Sequence, residues 1–187
     1  MAESCNLSCG CGRTTWVIKD KALGRHIKCY CDSCQSAVRH LGKSESYLDN
    51  GGTQLFQTVP YNFEITSGHE HVVLMRLSPK GLFRWYTACC NTPLSNTLPK
   101  PGFPFASAIL PVGHKDFGRV TAHVNTEAAP KKTSQTGLLG TVLGVLSRAL
   151  VTRLSGKAKI TPFFDDDGTP IMEPRVLTLE QRKAARA

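Results

Sequence analysis

Residues 29–41 read CYCDSCQSAVRHL, and the reading of those three sulfurs decides what kind of fold to expect. In an extended segment residues i and i+2 point the same way, so Cys29 and Cys31 share a face. Cys34 falls in a turn leading into a helix expected over 32–41, where Asp32 or Ser33 is placed to cap the free amides. Three thiolates on six residues can take three corners of a metal tetrahedron, leaving the fourth for water, substrate or a distant ligand. Zinc binds thiolates at about 2.3 Å; its structural sites are closed, and its catalytic sites keep a position open. The start of a helix also favours negative charge near Cys34.

Two further clusters flank this one: Cys9-Gly10-Cys11-Gly12 and Cys89-Cys90-Asn91-Thr92-Pro93. The glycines let the backbone bend around an ion and aim amide N–H groups at sulfur. Cys9, Cys11, Cys89 and Cys90 make four ligands, a closed site; Cys29, Cys31 and Cys34 make three, an open one; Cys5 is left over. One or two zinc ions with unequal roles are therefore expected. The plainer alternative is that some of these cysteines are small buried apolar residues, or that one structural site uses them. Adjacent side chains on a strand face opposite ways, so Cys89 and Cys90 reach one ion only if the backbone turns sharply there. Otherwise Cys89 is free, serves the other metal or joins a vicinal disulfide.

The rest of the chain sets the frame. It has 187 residues, 41% hydrophobic and 20% charged, with 23 Lys plus Arg against 14 Asp plus Glu, a net +9. That is the size of one ordinary domain, and the modest charge argues against wholesale disorder. Collagen, coiled coil and multi-span membrane proteins are excluded. Residues 1–20 lack the basic start and apolar run of a secretory signal, so a reducing, cytoplasmic setting is expected, in which clustered cysteines bind metal more often than they pair.

Residues 1–125 read as a mainly β zinc-binding domain. Segments 14–19, 71–77, 82–86 and 120–124 are rich in β-branched and aromatic residues and are separated by Gly- and Pro-containing turns. Residues 126–187 read as an extension packed on the same domain: a linker over 126–136, a helix over 137–154 and a basic tail with one short helix. In the long helix Leu139, Val142, Leu143, Leu146, Leu150 and Leu154 repeat at helical spacing. Docking of that face on the sheet is the simplest expectation. A homodimer contact and a membrane-surface helix flanked by Lys131, Lys132, Arg148 and Arg153 are the others. It is too short and too charged to span a bilayer. Asp165–Asp167 lacks the other ligands of a calcium loop and reads as a solvated turn.

The cysteine order C-x-C-G, C-x-C-x-x-C and a late cysteine before T-P resembles the glutathione-dependent formaldehyde-activating enzyme family, which includes centromere protein V-like proteins. The match is closer to an uncharacterised branch, on C-Y-C-D-x-C-Q (29–35), G-G-T-x-x-F-Q-T (51–58), P-K-G-L-x-R-W-Y (79–86) and C-C-x-T-P-x-x-N-T (89–97), and it spans about residues 5–125. The resemblance implies an Mss4-like fold of small antiparallel sheets. It also implies a structural zinc on Cys9, Cys11 and Cys90, and a second zinc on Cys29, Cys31 and Cys34 where thiol-linked substrates react. The family's last pair is C-x-x-C, whose first position here is Thr87; Cys89 is the substitute ligand.

These readings lead to a carbon–sulfur lyase-type reaction on a glutathione, or other thiol, adduct of an aldehyde. Glutathione is anionic and a cationic protein attracts it. Arg25, Lys28, Arg39 and Arg84 are candidate carboxylate holders, and His26 and His40 candidate relays or fourth ligands, though a solvated histidine is the plainer expectation for both. The alternative is a non-catalytic, zinc-stabilised module for an acidic partner; no groove-reading pattern supports nucleic acid. A redox or metal-handling role for exposed thiolates is a third reading.

Overall fold

The computed structural model describes residues 5–186. In chain order the elements are β1 (Cys5–Ser8), β2 (Thr15–Ile18), β3 (Arg25–Cys29), α1 (Asp32–His40), α2 (Ser44–Tyr47), β4 (Leu48–Asp49) and β5 (Gly52–Thr58). They continue with β6 (Phe63–Ser67), β7 (Val72–Arg76), β8 (Phe83–Thr87), β9 (Thr92–Thr97), β10 (Ala106–Leu110), β11 (Ala122–Val124), α3 (Leu138–Leu154), β12 (Arg175–Val176) and α4 (Leu179–Ala184). The fold is mainly β, as expected. β1, β2 and β6 form a three-stranded antiparallel sheet. The second sheet runs β11-β3-β5-β10-β9-β8-β7-β12 with β4 beside β5. It is mixed, because β11 and β12 pair parallel to β3 and β7. A two-residue loop joins β4 to β5: Asn50 and Gly51 both have positive φ, +50° and +73°, the requirement of a type I′ hairpin.

Alternation along the central strands shows how the layers stack. Phe56, Leu74, Ala108 and Leu110 join Trp16, Ile18, Phe63 and Ile65 of the small sheet in one core. Their neighbours Leu55 and Ile109 face the other way, onto Val38 of α1 and Tyr47. The large sheet is thus covered by the small sheet on one face and by α1 on the other. Phe163 and Phe164 return from the C-terminal part to pack with Trp85.

Three expectations are corrected. The N-cap of α1 is Cys31, and no side chain caps it. Asp32 and Ser33 are already helical, and the Ser33 hydroxyl accepts from Arg84 Nη2 instead (2.7 Å). Residues 126–136, read as a linker, are tied to the body by hydrogen bonds: Ala128 O accepts from Gln35 Nε2, and the Lys131 amide donates to Asn50. Finally, α3 begins at Leu138 and docks by its other side. Thr141, Ala149 and Thr152 are buried, whereas Leu139, Val142, Leu143, Leu146, Leu150 and Leu154 are exposed, Leu139 by 72% and Leu154 by 79%.

No described helix is long and apolar enough to cross a membrane.

Candidate metal centres

Two hairpin turns build the first centre. The β1–β2 turn carries Cys9 and Cys11, the β8–β9 turn Cys89 and Cys90. The β8–β9 turn is sharp: the Asn91 amide donates to Thr87 O (2.8 Å) and Asn91 sits at φ +56°. That turn resolves the adjacency problem, for both sulfurs join the Cys9–Cys11 group. The Sγ–Sγ distances are 3.6 Å (Cys9–Cys11), 3.7 Å (Cys9–Cys89), 3.5 Å (Cys11–Cys89) and 3.8 Å (Cys89–Cys90). A tetrahedron with zinc–sulfur bonds of about 2.3 Å has edges of about 3.8 Å, so the four thiols fit one ion. All eight cysteines are free, with no vicinal disulfide.

The surroundings favour thiolate at Cys11 and Cys90, while desolvation and then the Cys11 hydrogen bond push Cys89 up to about 11. Thr14 N donates to Cys9 Sγ (3.3 Å). Arg13 Nε donates to Cys11 Sγ (3.5 Å), lowering its thiol, and Arg13 Nη2 donates to Cys89 O (3.2 Å). Desolvation pushes Cys90 up, but the Thr92 and Thr87 hydroxyls outweigh it and bring the thiol to about 5. Thr87, which stands at the resembled family's missing ligand position, is 3.5 Å from Cys90 Sγ. The glycine amides do not reach sulfur: Gly10 N donates to Thr92 Oγ1 and Gly12 N to Cys9 O.

The second centre lies where β3 runs out into α1. Cys29 and Cys31 sulfurs are 3.5 Å apart, and Cys34 completes a group lying within 4.8 Å. Among the described residues no fourth His, Cys or carboxylate joins it. Cys29 and Cys34 are buried; Cys31 alone of the three is partly open to solvent. Arg84, only 3% exposed, crosses from β8 and donates to Cys34 Sγ (3.7 Å), Asn96 Oδ1 (2.9 Å) and Ser33 Oγ (2.7 Å). Asn125, at the end of β11 with φ +54°, donates to Cys29 Sγ (3.3 Å). Donation from the Cys29 and Cys31 thiols, and then the Arg84 charge, hold Cys34 well below the usual thiol range. The same contacts to Cys31 and Cys34, and then burial, push Cys29 up. A cavity of about 10 Å³ lies behind Cys34, against Val38, Met75, Arg84 and Ile109. It is the size of a single water.

The other candidates have local duties. Arg25 binds Thr121. Lys28 pairs with Asp49. Arg39 ties Gln35 and the Arg186 carbonyl. His26 is buried rather than solvated: Nδ1 donates to Gly118 O (2.8 Å), and Nε2 lies 3.0 Å from Gln54 Oε1. His40 is half-buried at the end of α1, and burial, then Arg175, lowers its pKa. Neither histidine joins a cysteine group. Sequence reasoning missed the roles of Arg13, Asn96, Thr92 and Asn125, of which Arg13 and Thr92, two positions past Cys11 and Cys90, carried a local signal.

Both centres fall inside the stretch that a family model covers, residues 1–112 of 187. The chain belongs to DUF6151, a family of unknown function. The DUF6151 match takes in all eight cysteines and Arg84, and ends before Asn125 and α3. No curated protein matches the chain. A crystal structure of a Rhodobacter sphaeroides protein aligns with 62% of this chain and 97% of its own, at 16% identity and a TM-score of 0.42.

Proposed function

We propose that this DUF6151 protein binds zinc at two unequal centres and acts as a carbon–sulfur lyase on a thiol adduct of an aldehyde, glutathione being the leading thiol. Cys9, Cys11, Cys89 and Cys90 are the structural set; Cys29, Cys31 and Cys34 are the reactive one. One observation carries the reading: three thiols converge with a buried arginine on one of them and, among the described residues, no fourth His, Cys or carboxylate beside them. A zinc ion held there would supply Lewis-acid polarisation of a carbonyl or activation of a thiolate. Arg84 and Asn125 orient and stabilise the sulfurs. Cys31 marks the solvent side, from which substrate approaches. The resemblance to the formaldehyde-activating family points to the same chemistry, and eight free thiols suit a cytoplasmic location.

The test is NMR exchange on the glutathione–formaldehyde adduct with zinc-loaded protein. The expected result is exchange faster than with free glutathione. In Cys29→Ser the acceleration is lost and the zinc count falls by one, while the unfolding transition persists. No acceleration by the fully loaded protein overturns the enzyme reading for this substrate.

A second reading, a zinc-stabilised module for an acidic partner, is favoured by the water-sized cavity at Cys34. It also draws on residues 128–164, which hold six Lys or Arg and no Asp or Glu. It predicts that Cys29→Ser unfolds the protein. We also infer that the exposed leucine ridge of α3 pairs with a second copy. The ridge from Leu139 to Leu154 is about 22 Å long; its one cation, Arg153, seven residues past Leu146, shares the face near the C-terminal end, so two ridges meeting across a two-fold axis centred on Leu146 keep that charge at the rim.

A further inference from the structure

A third cluster of metal-binding side chains lies apart from both cysteine centres. Cys5, the first residue of β1, meets His114 and Asp116 from the loop after β10. Cys5 Sγ is 3.7 Å from His114 Nε2 and 3.5 Å from Asp116 Oδ2, and His114 Nε2 is 3.5 Å from the same oxygen. The three atoms form a nearly equilateral triangle. Zinc bonds of about 2.3 Å to sulfur and about 2.0–2.1 Å to nitrogen and oxygen give tetrahedral edges of about 3.3–3.6 Å. The triangle therefore has the size of one face of a zinc tetrahedron.

A Cys–His–carboxylate relay fits the arrangement less well. A relay uses the two imidazole nitrogens for different partners, the nucleophile on one and the carboxylate on the other. Here thiol and carboxylate both converge on Nε2. Three donors aimed at one point are what a cation needs.

The frame around the triangle is fixed without the ion. β1 pairs with β2, setting Cys5 opposite Ile18. The loop is anchored by Phe117, whose ring stacks on Phe56 at 4.1 Å between centroids. His26 donates to Gly118 O, and His114 N and Gly118 N close local turns onto Pro111 O and Lys115 O. A metal site with ligands set by the fold in this way loses little entropy on binding.

We propose that Cys5, His114 and Asp116 bind a third divalent cation of the zinc class, with the fourth position open to water. One thiolate, one imidazole and one carboxylate make a mixed borderline donor set, unlike the all-sulfur centres. The ion would pin the start of β1 to the loop 111–118. This inference is independent of the lyase reading.

Cadmium-113 NMR on the full chain separates the sites, because the resonance moves upfield as thiolates are replaced by nitrogen and oxygen. Protein loaded with cadmium alone is expected to show two thiolate-rich resonances and one well upfield. Cys5→Ser and Asp116→Asn should each remove the upfield signal and one equivalent of bound cadmium, leaving the other two unmoved. Those two signals also report that the fold survives. Should Cys5→Ser fail to fold, Asp116→Asn, at an exposed side chain, decides alone. Absence of an upfield resonance at saturating cadmium, or its persistence in Asp116→Asn, overturns the third site. Absence of the thiolate-rich signals instead counts against the cysteine centres.

Discussion

Arg84 carries a permanent charge into a setting where it is almost wholly cut off from water. An unpaired charge there would cost several kcal/mol, so its place depends on Cys34, Ser33 and Asn96 together. Lysine would keep the charge but lose the planar fork that serves three partners at once. We expect Arg84→Lys to weaken zinc binding at Cys29, Cys31 and Cys34 by about 10–100-fold, the usual cost of losing a ligand's outer partner. The centre at Cys9 should be unaffected. Competition with a chromophoric chelator reads both affinities, and equal loss at the two centres would refute the assignment. At this scale the sulfurs were legible, because thiolate spacing is local. Their partners were legible only in part: the sequence singles out Arg84 as a carboxylate holder, not as the partner of Cys34, and does not single out Asn125, because the two reach Cys34 and Cys29 across 50 and 96 residues.

α3 shows how a correct period can still leave the docking face open. Its leucines repeat at helical spacing, yet the side that meets the body is Thr141, Ala149 and Thr152. Small residues let the helix lie close, and both threonine hydroxyls donate to the carbonyl four residues back (2.8 Å each), so neither hydroxyl is stranded, whereas Nε and Nη2 of Arg148 on the same helix are buried without a partner. Periodicity measures amphipathicity and does not say which neighbour each face meets. β9 escaped sequence reasoning for a related reason. TPLSNT is polar but wholly buried, because its side chains pair across the sheet: Trp85 Nε1 donates to Thr97, and Asn96 bridges Arg84 and Ser107. The exposed ridge makes a test at this scale. Wild-type protein should self-associate in sedimentation equilibrium, and Leu146→Glu should be monomeric with its zinc content unchanged. A monomeric wild type that floats with anionic vesicles would assign the ridge to a lipid surface and refute pairing.

Across the whole molecule, the mainly β character followed from β-branched and aromatic runs. The return of the C-terminal part into the core did not. Phe163 and Phe164 sit among Phe63, Phe83 and Trp85, fully buried although they follow a long helix and precede an Asp-rich turn. Phe163→Ala should lower stability by about 3–5 kcal/mol, measured by urea unfolding of the zinc-loaded protein. A change under about 1 kcal/mol would show that the aromatic cluster does not depend on this segment.

The two cysteine centres differ in how far apart along the chain their members lie. Cys29, Cys31 and Cys34 occupy six consecutive positions, whereas Cys9 must wait for Cys89, 80 residues downstream. Bringing distant residues together is slow relative to local closure. During translation the short cluster can therefore assemble while most of the polypeptide is still unmade. The long-range one can assemble only after the β8–β9 turn has left the ribosome, so the three sulfurs of the short cluster can come together before the four of the long-range one.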